Sequence, residues 1–259
     1  MNKFAAAIIG VLLITSALVS QTFFTAGAGF TKTFLHSQDL NQFRESYNAV
    51  QRQFLVHPLA GFGGGFGLQA AVGLRRYASL SGALKLGFVQ WKGNDFARFS
   101  NGDKRDLQLE SNSFYLDVEL GQGFQNFFVN GLLRILLSPH YTLRSSYSTL
   151  ISPAPAKSLD GRYENKMSTA VATGVSIGLI KEPIIVIAQI TYVLYKSGTK
   201  DLLRESDEKK IVEGLSNFPS DFASYTNKQP YRGVSSDYGG LSLNLGFEFS
   251  FALTKGSEK

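Results

Sequence analysis

Ser138 and His140 lie two positions apart on what reads as one strand face. A hydroxyl beside an imidazole is the start of a nucleophile and its base. Lipid hydrolysis would also need a group to orient the imidazole and an oxyanion site. Neither can be named, and Pro139 separates the pair. GFGLQA at 65–70 spells a dinucleotide-binding fingerprint, but no strand precedes it and no helix follows to receive a pyrophosphate. His36, His57 and His140 lack metal-ligand spacing, and no Walker-type phosphate loop occurs. No catalytic residue, metal or cofactor is expected, and the chain reads as non-enzymatic.

The stronger chemical signal is charge set into apolar strands. Lys85, Asp117, Glu119, Arg134 and Glu248 each alternate with large apolar neighbours. If the polar face of those strands lines a closed interior, these five must neutralise one another, because an unpaired buried charge is costly. A lumenal ion-pair network is the expected arrangement. A gated ion path through it is the alternative. Plugging is favoured, since the interior of an eight-stranded barrel is only wide enough for side chains to fill.

The elements that would hold these charges are strands. Leu241, Leu243, Leu245, Phe247, Phe249, Phe251 and Leu253 fall on one face, opposite Ser242, Asn244, Gly246, Glu248, Ser250 and Ala252. Strict period two is a β pattern and cannot be one face of a helix. The same alternation runs through 114–120 and 127–137. Further strands are read at 24–34, 62–76, 82–91, 167–179 and 184–195, giving eight. Gly61, Gly63, Gly65, Gly67 and Gly73 fall on the inward face.

Short turns at 78–81, 121–123 and 181–183 alternate with long polar connections at 36–59, 92–106, 144–166 and 196–237. Tight turns on one side and large loops on the other are the plan of an outer-membrane barrel. The expectation is an all-β, eight-stranded antiparallel up-and-down transmembrane barrel, with the apolar face toward lipid. Trp91, Tyr141, Tyr163, Tyr192, Tyr195 and Tyr238 would form an interfacial girdle. In the last long loop, Leu202, Leu203, Ile211, Val212 and Leu215 could line an amphipathic helix over the barrel mouth.

Residues 1–20 read as a cleaved signal peptide: Lys3 precedes a short apolar run that ends at Ser20. Residues 21–253 would form the barrel and 254–259 a periplasmic tail. Among 259 residues there are 26 Gly, 21 Phe and no Cys, so disulfides and thiolate metal sites are excluded. Mean hydropathy of −0.02 fits no bundle of apolar helices. The net charge of +6 is not a nucleic-acid signal, because the 196–237 loop carries seven basic and seven acidic residues. The expected partners are outer-membrane lipid and a protein reached through the external loops.

The leader, the eight alternating strands, the Gly-rich second strand and the closing LSLNLGFEFSFAL segment resemble the small PorT/OmpX-like outer-membrane barrels of Bacteroidota. That resemblance implies an integral outer-membrane scaffold or surface-binding protein, with an accessory role in a secretion assembly. The alternatives are a narrow porin-like channel and, more weakly, a lipid hydrolase built on Ser138 and His140.

Overall fold

An extended strand with one apolar and one polar face can bury only one of them in a given solvent. The computed structural model shows how this chain meets that constraint, and it describes residues 22–149, 160–166, 169–197, 204–205 and 239–252. The elements are β1 (Thr22–His36), α1 (Gln38–Val50), β2 (Leu55–His57), β3 (Gly65–Tyr77), β4 (Leu80–Phe99) and β5 (Lys104–Gly123). They continue with β6 (Phe127–Ser148), β7 (Gly161–Lys166), β8 (Thr169–Lys181), β9 (Ile184–Ser197), β10 (Arg204–Glu205) and β11 (Gly239–Ala252).

Eight of these strands close a ring. The order is β1-β3-β4-β5-β6-β8-β9-β11, every pairing is antiparallel, and β11 returns to β1 from Phe23↔Ala252 to His36↔Gly239. The chain is an antiparallel β-barrel of the outer-membrane type. Tight turns at 78–79, 124–126 and 182–183 share one end with Thr22 and Ala252. The second turn therefore lies just beyond the expected 121–123, which belongs to β5.

Around the ring, one face is exposed and apolar: Phe30, Leu68, Leu86, Phe114, Leu133, Val175, Ile190 and Leu245 come from the eight different strands. This is the belt that hydrocarbon must cover. Toward the far end the polarity turns inside out. Trp91, Ala97, Phe99, Leu107, Leu109, Tyr141 and Leu143 point inward and are buried. Lys92, Asn94, Arg98, Gln108 and Glu110 occupy the outer face there, with Lys92 and Glu110 paired at 2.8 Å. A section whose inside is largely apolar, apart from Asp95, Asp103 and Arg105, and whose outside is largely polar, apart from Phe96, belongs in water. β4, β5 and β6 therefore carry the structure beyond the membrane.

A β-bulge makes the switch in β6. Ser138 and Pro139 together oppose Ser113, and Ser138 adopts φ 47°. The extra residue reverses which positions face inward. Arg134 faces the lumen below the bulge, while Tyr141 and Leu143 do so above it.

Several expectations are corrected here. The 92–106 connection is not a loop: β4 runs to Phe99 and β5 begins at Lys104. The 144–166 connection holds the end of β6 and β7, which pair with each other. The 36–59 connection holds α1 and β2, and β2 pairs with the upper part of β4. Trp91 and Tyr141 are inside the barrel, not in a girdle, whereas Tyr192 and Tyr195 are exposed. Gly61 and Gly63 precede β3, in left-handed conformations, instead of lining it. Arg204 and Glu205 pair with β7 as strand. The rest of the expected helix there, the side chain of Tyr163, Tyr238, and segments 1–20 and 254–259 lie outside the described residues.

The mouth is nevertheless capped by a helix, from the first connection. Ser37 caps α1 by accepting the N–H of Leu40 at 3.3 Å. Leu40, Phe43 and Tyr47 recur at helical spacing and are buried against Leu107, Leu109 and Leu143. Asn48 clamps the returning chain by donating to the Leu59 carbonyl and accepting its N–H, both at 2.9 Å.

The belt and the inverted section respond differently to the same charge. Leu245→Arg is expected to lower the unfolding free energy in lipid vesicles by about 2–4 kcal/mol. Asn94→Arg, on the outer face of the inverted section, should change it by less than about 0.5 kcal/mol. Denaturant titration of both variants checks this contrast; equal losses would contradict the placement of the membrane.

Candidate functional site

Six charged side chains from five strands meet in the lumen between the tight turns and the inverted section. Arg75 on β3 donates from Nη1 to Glu119 Oε2 on β5 at 3.0 Å and from Nε to Glu248 Oε2 on β11 at 2.9 Å. Lys85 on β4 joins the same two carboxylates, at 2.5 Å to Glu119 Oε1 and 3.0 Å to Glu248 Oε1. The four form a closed square of alternating charge. Arg134 on β6 grips Asp117 on β5 with both ends of its fork, at 2.7 and 2.8 Å. Gln189 on β9 links the two groups by accepting from Arg134 at 3.1 Å and donating to Glu119 at 3.2 Å. Asn130 on β6 donates to Glu119 at 3.2 Å.

All six charges are buried, and the three cations balance the three anions. Backbone register alone does not dictate the partners. Lys85 stands opposite Asp117 across the β4–β5 ladder, yet its ammonium reaches across the lumen to Glu248. Gly27 on β1 permits this: a Cβ there would lie 2.6 Å from Glu248 Cγ, so only glycine lets that side chain lie along the wall.

Rings seal the network on both sides. Phe128 lies under Arg75, with the guanidinium carbon 4.4 Å from the ring centroid, and packs with Ile185 and Ile187 toward the tight-turn end. Tyr115 covers Arg134 at 4.0 Å. These contacts combine cation–π attraction with exclusion of water. A cavity beside the network, lined by Gln69, Lys85, Tyr115 and Gln189, has a volume of about 30 Å³. That is room for water and nothing larger.

The structure thus brings Lys85, Glu119 and Glu248 together and places Asp117 with Arg134. Arg75 was not among the residues expected there. Its odd numbering, shared with the lumenal Gly67 and Gly73, is the signal that separates it from Arg76. Ser138 and His140 form no catalytic pair: Ser138 is exposed at the bulge, and His140 Nε2 faces Thr142 Oγ1 at 3.3 Å. Higher up, Tyr147 donates to Asp103 Oδ2 at 2.7 Å. Its hydroxyl is pushed up to about 12, first by burial and then by that carboxylate.

No protein-family model and no curated protein sequence matches the chain. Several solved structures have a similar course. The attachment invasion locus protein Ail of Yersinia pestis, in complex with the heparin analogue sucrose octasulfate, is 11% identical, with a TM-score of 0.42 over 89% of this chain and 99% of that one. A major outer membrane protein from Thermus thermophilus is 14% identical, with a TM-score of 0.44 over the same shares. The outer membrane protease OmpT from Escherichia coli is 9% identical, with a TM-score of 0.42 over 89% and 95%. The expectation of a non-enzymatic chain is corrected by this last likeness: a protease stands among barrels of similar course, so such a barrel is no argument against catalysis.

The square of charges should behave as one unit. Arg75→Met leaves two buried carboxylates short of a partner and is expected to cost about 3–5 kcal/mol of stability. Adding Glu119→Gln removes one of those orphaned charges, so the double variant should lose clearly less than the sum of the single losses. Denaturant titration of the three variants reads the coupling, and strict additivity would contradict a shared network.

Proposed function

We propose that this chain is an exported outer-membrane barrel that works from its external mouth, as a surface-binding scaffold held in lipid by its apolar belt. One observation carries the proposal. The lumen is filled at two successive levels, by Phe128 with Ile185 and by the ion pairs, and α1 with its apolar core caps the mouth above them. The strands of β4–β6 meanwhile continue past the belt as a water-facing structure. A path for solutes would need a lumen that this arrangement occupies, which weighs against the narrow-channel alternative. The Ser138–His140 hydrolase loses its geometry at the bulge.

Export by residues 1–20, a barrel over 21–253 and a tail at 254–259 belong to the same proposal, supported by the basic start and apolar run of the leader. The likeness to PorT/OmpX-like barrels of Bacteroidota, with its implied accessory role in a secretion assembly, is supported by the leader and the eight-stranded plan. The lumenal network serves here to fix the barrel and close it. Exposed Phe54, Val56 and Phe96 stand beside the β2–β4 pairing and give the external part an apolar contact surface.

Site-specific crosslinking in intact cells tests this directly. A photoreactive residue at Phe96 is expected to give a discrete adduct with a protein or polysaccharide, while one at Leu245 gives only lipid adducts. Lipid adducts alone at both positions would count against an external binding surface.

A further inference from the structure

We propose that the space beneath α1 binds a small monocarboxylate with an apolar body, such as a short-chain fatty acid or an aromatic acid. The site does not depend on what the external surface binds. Its cavity has a volume of about 210 Å³. An apolar cavity of about 150 Å³ is enough to take up benzene, so one ring or a short acyl chain fits, and a full lipid chain does not. Leu40 and Phe43 of α1 form one wall, Phe62 of the returning chain a second, and Leu107 of β5 a third. All four are buried. The rim at Asn41, Ala60 and Gly63 is exposed, which leaves a way in from outside.

Two charged side chains share the lining, and they differ in how far they are engaged. Asp95 Oδ1 accepts the N–H groups of Ala60 at 3.1 Å and Phe96 at 2.9 Å, and Oδ2 accepts that of Gly61 at 2.9 Å. Its charge is spread over three backbone donors and holds the returning chain in place. Arg44 donates to the Ala60 carbonyl at 3.2 Å and to Glu45 Oε1 at 3.0 Å. Glu45 is 70% exposed, so water competes for that pair. A guanidinium has five N–H donors in a rigid fork, and two contacts leave enough of it for a carboxylate.

Gly61 sets where that fork sits. It adopts φ +97°, and a Cβ there would lie 2.8 Å from Arg44 Nη1. The left-handed backbone favours glycine at this position, and it lets the returning chain pass beside the guanidinium at the cavity edge. The result is a pocket of mixed lining, with apolar walls at Leu40, Phe43, Phe62 and Leu107 and a cation at its rim, which is the complement of a small organic acid.

The test uses the full chain in phospholipid nanodiscs, free of detergent that could enter the cavity. Binding of 4-fluorobenzoate is followed by fluorine NMR, with 4-fluorobenzyl alcohol as the neutral counterpart. Saturable binding of the acid is expected. Arg44→Gln should weaken it about tenfold, the worth of one charge-assisted hydrogen bond, and leave the alcohol unchanged. Leu107→Trp fills the space and should abolish binding of both probes while the β circular dichroism is kept. Leu40→Phe serves if that variant does not fold. Absence of saturable binding, survival of binding in the folded filled-cavity variant, or equal losses of acid and alcohol in Arg44→Gln would each overturn the proposal.

Discussion

A sheet in hydrocarbon cannot leave its edges open, because no water is there to bond the free N–H and C=O groups. The pairing of β1 with β11 removes that edge, and the rest of the structure depends on it. Closing with eight strands fixes a narrow interior. Arg75, Lys85, Asp117, Glu119, Arg134 and Glu248 are then forced within reach of one another, and each charge has an opposite charge at 3.0 Å or less. The ion pairs are the consequence of closure in a small barrel, and glycine at position 27 supplies the space they need.

The same closed ring passes through two solvents. In the belt, apolar side chains point outward because the surroundings are hydrocarbon. In the outer section they point inward because the surroundings are water. β6 meets both demands by inserting one residue at Ser138–Pro139, which reverses its inward face within a single strand. The cap formed by α1 completes an apolar core above the membrane. The barrel therefore has a polar lumen at membrane level and an ordinary protein interior above it.

What could be read from the chain follows from this division. In the belt, period-two alternation is strong and its sense constant, so the strand count, the outward row on β11 and the lumenal positions of five charges were legible. Above the belt the rule changes sign. Trp91, Leu107 and Tyr141 there look like interruptions of a pattern, and 92–106 reads as a loop when it is two paired strands joined by a short turn. The bulge is a one-residue shift of pairing whose trace in the sequence is Pro139, which has no N–H for the ladder. α1 has only a short apolar stripe, Leu40, Phe43 and Tyr47, in a polar stretch, and its cavity depends on chain crossings that no local pattern encodes. Arg75 was legible in parity, two residues beyond the inward Gly73.

A lumen filled by charge pairs and rings places the working surface of this protein outside it, at the capped and water-facing end. Single-channel recording of the folded wild-type chain in planar lipid bilayers tests that claim most directly. A barrel sealed by these side chains predicts a baseline without discrete conductance steps at any applied voltage that the bilayer withstands. Reproducible unitary steps from the folded protein would contradict it.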